Sequence, residues 1–189
     1  ELYVPFAFGG GIRSLDDMKE IIQAGAEKIV INTAAVEVPG LITDAANKFG
    51  SQCIVVSIDA LRIGNSYEVY IRSGSQPTGL DAVVWARRVE ELGAGEILVN
   101  SILHEGTMTG YDIELIKSVS EAVRIPVIAA GGAAKLSDFT QAVVEGRASA
   151  VAAGSIFHYT KYTPNMVKGA LNKAGIPVRM YPNVDYEVS

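Results

Sequence analysis

The stretch Val4-Pro5-Phe6-Ala7-Phe8-Gly9-Gly10-Gly11-Ile12-Arg13 decides how the rest of the chain is read. A short apolar run stops at three glycines, and a helical pattern opens at Ser14-Leu15-Asp16-Asp17. That order predicts a buried strand delivering its C-terminal end to a bare-backbone loop and a helix N-terminus. Such a loop suits a phosphate, because unobstructed glycine N–H groups can approach the anion and the helix end carries partial positive charge. A glycine triplet by itself marks a turn more often than an anion site.

The stretch occurs twice. Val4, Pro5, Gly10, Gly11, Leu15, Asp17 and Gly25 reappear as Ile125, Pro126, Gly131, Gly132, Leu136, Asp138 and Gly146, each 121 residues later. After one extra residue, the run from Lys28 to Thr33 lines up with that from Ser149 to Ser155. Both copies read strand, Gly-rich loop, helix, glycine, strand, small polar residues. A period this long points to a duplicated half-domain, not to a solenoid array.

Composition sets the bounds. The chain has 189 residues, 49% hydrophobic and 20% charged, an ordinary balance for one globular domain with a sizeable core. A net charge of −5 argues against nucleic acid or an anionic membrane as partner. It does not exclude anionic small molecules, which local glycine loops bind regardless of global charge. Cys53 is the only cysteine, so no intrachain disulfide forms. It is expected to be a buried, reduced thiol in a cytoplasmic protein. No apolar run approaches the ~20 residues of a membrane span, and no signal peptide is visible. No metal site or cofactor is expected.

Strand-like runs lie near 4–8, 28–32, 53–58, 96–100, 125–129 and 149–153. Helical patterns occupy 14–24, 37–49, 79–92, 112–123, 136–145 and 164–174. Nearly continuous apolar strands alternating with helices predict a parallel sheet with helices outside it. Residues 65–72 alternate with period two and predict an added hairpin after the third strand, followed by a loop at 73–79. The repeat spans four strand-helix units, and two such periods make eight, the number that closes a (β/α)₈ TIM-type barrel. Six units are present, so residues 1–189 are expected to form a single half-duplicated barrel domain lacking its first two units. The opening at Glu1, already close to a strand, fits that expectation. An open doubly-wound sheet is the structural alternative.

A series of motifs now carries a family resemblance: Phe8–Ile12, Ile31–Glu37, Val56–Ala60, Gly93–Ile97, Glu105–Thr107, Gly110–Asp112 and Ala130–Gly132, in that order. Together they resemble the cyclase subunit of imidazole glycerol phosphate synthase, the HisF family, over essentially residues 4–180. The resemblance implies a half-barrel-duplicated (β/α)₈ fold. It also implies a HisH-like glutaminase partner supplying ammonia and a substrate with a phosphate at each end. The products would be imidazole glycerol phosphate and an aminoimidazole carboxamide ribotide. A related branch serves sugar amidation in surface-polysaccharide synthesis.

Asp59 follows a buried strand, where an aspartate either caps a loop or sits at a barrel mouth; the resemblance makes it one of two acid/base carboxylates. The family's other catalytic Asp and a neighbouring Lys lie on the first barrel strand and have no counterpart here. The resemblance places one substrate phosphate at Gly11, Asn32 and Thr33. It places the other at Gly106, Gly132, Gly154 and Ser155. It further implies substrate contacts from Ser73, Gly74, Asn100, Glu105, Thr107 and Gly131, and an ammonia gate at the opposite barrel face from Lys28 and Glu96.

The chain also departs from the pattern. Leu103-His104-Glu105-Gly106-Thr107 stands where the family has Asp-Arg-Asp-Gly-Thr. Leu61 replaces a lysine, and Ser75 and Gln76 replace loop lysines. These losses favour a divergent branch or an impaired cyclase, and a non-catalytic phosphate-binding relic is the competing class. His104 reads as exposed loop surface, and Trp85, Tyr67 and Tyr70 as packing. Open sheet edges at 4–8 and 148–153 predict self-association of the isolated chain, with no turnover.

Overall fold

The computed structural model describes residues 4–180. In chain order the elements are β1 (Ala7–Gly9), α1 (Leu15–Gln23), β2 (Lys28–Ile31), α2 (Thr33–Glu37), α3 (Gly40–Phe49), β3 (Ile54–Ile63), β4 (Ser66–Ile71), β5 (Gln76–Asp81), α4 (Ala82–Glu91) and β6 (Glu96–Ser101). There follow α5 (Ile113–Ser120), β7 (Val127–Ala130), α6 (Leu136–Val144), β8 (Ala150–Val151), α7 (Ser155–Tyr159) and α8 (Pro164–Lys173).

Six parallel strands stand in the order β1-β2-β3-β6-β7-β8. The order is sequential throughout. A doubly-wound sheet would reverse it at a switch point, so the architecture is of the (β/α)₈ barrel type, with six parallel strands among the described residues. β1 and β8 are the outer strands and do not pair with each other.

Alternation along the strands separates two faces. Ile29, Ile31, Ile54, Val56, Ile58, Ile97, Val99, Val127 and Ala129 point toward the helices and are buried. The opposite face carries Val30, Asn32, Ser57, Asp59, Leu98, Asn100, Ile128 and Ala130, all half-buried. This second face forms the inner wall of the barrel, and it is where polar side chains collect.

The duplication persists in three dimensions. Ala7 pairs with Lys28 and Phe8 with Ile29 in the first copy; Ile128 pairs with Ala150 and Ala129 with Val151 in the second, the same register. Asp17 accepts hydrogen bonds from the N–H groups of Arg13 and Ser14 at 2.9 and 3.0 Å. Asp138 accepts from Ala134 and Lys135 at 2.9 and 3.1 Å. These carboxylates satisfy N–H groups that a helix start otherwise leaves unpaired.

Several expectations are corrected. The helix expected over 37–49 starts later, at Gly40 after Pro39, which has no N–H to donate, and a separate short helix, α2, precedes it. The two-stranded hairpin is three-stranded: β3 runs on past the barrel to pair with β4, which pairs with β5. Residues 76–81, read as loop and helix start, form that third strand; Pro77 is tolerated because β5 pairs on one side only. Asp81 then caps α4 by accepting from Val83 and Val84. Cys53 is half-buried in a short turn before β3, not buried in the strand. No helix among the described residues is long and apolar enough to cross a membrane.

Candidate active site at the C-terminal end of the strands

All six parallel strands release their loops at one end of the sheet, so both Gly-rich copies open there. The first copy lines a cleft of about 820 Å³ with Gly10, Gly11, Asn32, Thr33, Asp59 and Ser73 among its walls. The second lines a pocket of about 170 Å³ with Glu105, Gly106, Gly131, Gly132, Gly154 and Ser155. Each copy ends in a five-residue helix, α2 or α7, that patterning alone did not reveal. Their N-terminal flanking residues match closely in backbone angles: φ −122°, ψ −79° at Asn32 and φ −122°, ψ −67° at Gly154.

In the first cleft, side chains bind loops together. Asn32 Nδ2 donates to the carbonyls of Ser57 and Tyr70 at 3.1 and 3.3 Å. Thr33 Oγ1 accepts from the Arg72 N–H at 3.0 Å. Arg72, Ser73 and Gly74 take successive positive φ angles, a left-handed turn that carries the hairpin over the cleft. Arg72 pairs with Glu37 at 2.9 Å. Arg13 and Arg72 are therefore among the residues lining the cleft, a contribution missed in the sequence.

The second pocket is tighter. A Cβ on Gly131 would run into Asn100 Oδ1, and one on Gly132 into the Gly110 carbonyl and the His104 side chain. The Gly110 N–H donates to the Gly132 carbonyl at 2.7 Å, pinning the 102–110 loop over the pocket. His104 is not simple loop surface. Its Nδ1 lies 2.9 Å from Ser101 Oγ, which is buried and donates to Asp112 Oδ2 at 3.4 Å. Tyr67 does more than pack: its hydroxyl donates to Asp112 Oδ1 at 2.8 Å. Burial and that bond push the Tyr67 phenol well above its ordinary range.

Between the two copies stand β3 and β6, with Asp59 in register with Asn100. Burial raises the Asp59 carboxyl above its ordinary value of 3.8, while hydrogen bonds from Ser57 and Asn100 oppose the rise. Thr107 donates to the His104 carbonyl at 2.8 Å, and neither it nor Gly74 is among the residues lining the two cavities. Trp85 is buried against the core. At the other end of the strands, Lys28 and Glu96 form an ion pair at 2.8 Å, and Lys28 also donates to the Gln52 carbonyl at 2.9 Å. Among the described residues no cluster of three His, Cys, Asp or Glu could hold a metal ion.

These features define a half-duplicated barrel with paired Gly-rich loops around a half-buried carboxyl group. The chain belongs to the histidine biosynthesis protein family, which it matches over residues 1–163, and within it to the HisF group. It is 53% identical over 180 residues to proteins named imidazole glycerol phosphate synthase subunit HisF from two strains, BAV1 and CBDB1, of Dehalococcoides mccartyi. Those alignments cover 95% of this chain and 71% of each relative.

Proposed function

We propose that the chain forms the cyclase subunit of imidazole glycerol phosphate synthase. It would take ammonia from a HisH-like glutaminase and close the imidazole ring of a bis-phosphorylated substrate. The observation that carries this reading is the pair of matched Gly-rich loops at one end of the sheet, with Asp59 on a strand between them. Four strand spacings separate the two loops, about 19 Å along the sheet and less across its curve. A substrate with a phosphate at each end would lay its reacting middle over Asp59 and Asn100.

Each group then has a role. The Gly11, Asn32 and Thr33 loop, with Arg13, receives one phosphate; Gly106, Gly132, Gly154 and Ser155 receive the other. Ser73, Gly74, Asn100, Glu105, Thr107 and Gly131 flank the path between them. Asp59 exchanges a proton with the closing ring, a task suited to a carboxyl that burial holds above its ordinary range. Lys28 and Glu96, paired at the opposite face, mark the entry for ammonia. The partner acid/base group comes from the units that complete the barrel.

The test is turnover by the protein made from its complete coding sequence, with ammonium salt replacing the glutaminase. Ammonia-dependent formation of imidazole glycerol phosphate is expected; binding without turnover would overturn the reading. Leu103, exposed where the family pattern carries charge, favours one second reading, amidation of a sugar. Ammonia-dependent amidation of a sugar in place of ribotide turnover would support it.

A further inference from the structure

Ser57 lies on the inner face of β3, two residues before Asp59, so strand alternation sets both side chains on the same side. Its Oγ donates to Asp59 Oδ1 at 2.9 Å. Its carbonyl accepts from Asn32 Nδ2 at 3.1 Å, and Thr33 Oγ1 in turn donates to Asn32 Oδ1 at 3.3 Å. One residue therefore joins the first anion loop to the half-buried Asp59 carboxyl group. A carboxylate accepting a short hydroxyl bond is fixed in orientation and biased toward its charged form, against the pull of burial.

We infer that Ser57 is a positioning residue for Asp59, holding its carboxyl group in the orientation and ionisation balance that proton transfer requires. This rests on the reading of Asp59 as the acid/base group of the cyclase. Asn100 also favours the charged Asp59 carboxyl, but Ser57 in addition carries the link to Asn32 in the first anion loop. Asn100 approaches from β6, and its Oδ1 is buried without a hydrogen-bond partner among the described residues. Tyr70 stands opposite Asp59 on β4. Arg13, Arg72 and Glu37 line the same cleft, the last two paired with each other. Glu105 lines the neighbouring pocket, and Lys28 and Glu96 are tied together at the far ends of β2 and β6.

The experiment compares the complete protein with Ser57→Ala and Ser57→Thr by carboxyl-carbon NMR titration of Asp59 and by the pH profile of kcat. Ser57→Ala is expected to move the Asp59 titration and the acidic limb of the profile upward. It should lower kcat about tenfold, the scale of one hydrogen bond to a charged group, with KM within twofold. Ser57→Thr, which keeps the hydroxyl, restores both. An unmoved Asp59 titration in Ser57→Ala, or a threonine variant as impaired as the alanine one, overturns the assignment. Absence of ammonia-dependent turnover in the unsubstituted protein overturns the cyclase reading instead, so the two failures are seen separately.

Discussion

The two copies of the half-barrel have nearly the same backbone and very different surroundings. α1 and α6 are each nine residues, α2 and α7 five, α3 and α8 ten, in the same order in both copies. Yet a Cβ on Gly10 or Gly11 would meet nothing within 4 Å, whereas one on Gly131 or Gly132 would strike neighbouring atoms. The difference follows from position in the sheet. β7 is an inner strand, and the 102–110 loop from its neighbour β6 closes over the second copy. β1 is an outer strand among the described residues, so nothing from that side covers the first. Charged groups differ as well: Arg13, Arg72, Glu37 and Asp59 line the first cleft, while Glu105 is the only charged residue lining the second pocket. Duplication thus conserves the shape of a Gly-rich loop and leaves neighbouring elements to set how tightly, and with which charged groups, it is surrounded.

The largest expected effect lies between the copies. On the proposed function, Asp59→Asn should lower kcat by about 10²–10⁴ while leaving KM nearly unchanged, because a proton-transfer group acts on rate and the proposed phosphate loops lie elsewhere. Steady-state kinetics with ammonium salt decide it; an unchanged kcat removes Asp59 from the mechanism.

Next comes a direct contrast of the glycines. Gly11→Ala meets only left-handed strain at φ +73°, roughly 1–2 kcal/mol. Gly132→Ala carries similar strain at φ +99° and must also displace the Gly110 carbonyl, adding about 1–3 kcal/mol. Denaturant midpoints should rank the two in that order, and equal losses would show that the second pocket is no tighter than the first.

A smaller effect separates the copies by charge. Arg13→Gln should weaken inorganic phosphate at the first loop about threefold to fivefold, the scale of an exposed charge interaction, and leave the second unchanged. Amide shifts of Gly11 and Gly154 report the two loops independently; equal weakening at both would contradict the asymmetry. The smallest effect is on stability. Folded Asp59 binds its proton more tightly than the unfolded chain does. Its contribution therefore falls as pH rises from the ordinary carboxylate range through its raised value. Asp59→Asn should accordingly stabilise the protein at neutral pH and lose that advantage in acid, as urea denaturation at the two pH values would show. A destabilised Asp59→Asn at neutral pH would contradict a net cost of burying this charge.

Much of this was legible in the residues. The 121-residue offset carried the duplication, and the apolar strand runs carried the sheet. The ends of those strands placed Asp59, Asn32 and the Gly-rich loops together. What stayed hidden depended on tertiary contacts. The short helices α2 and α7 have too few residues to show a 3.6 period. β5 contains Pro77 and Gly79, which weaken a strand pattern, and it exists because β4 offers it a partner. His104 looked like loop surface because its partners, Ser101 and Asp112, are set by the fold. Ser57 stood within the quoted Val56–Ala60 motif. Strand alternation from Asp59 could have found it, but its hydrogen bond could not be read from spacing.

The central claim is that two matched loops hold opposite ends of one ligand. The most direct measurement follows the backbone amides of Gly10–Thr33 and of Gly131–Ser155 while the complete protein is titrated with imidazole glycerol phosphate, then with a bis-phosphorylated substrate analogue. The monophosphate should shift one set of amides at low concentration. The bisphosphate should shift both sets along a single binding curve, at lower concentration than the monophosphate requires. Two independent curves for the bisphosphate, or one set of amides left unmoved by it, would contradict the account.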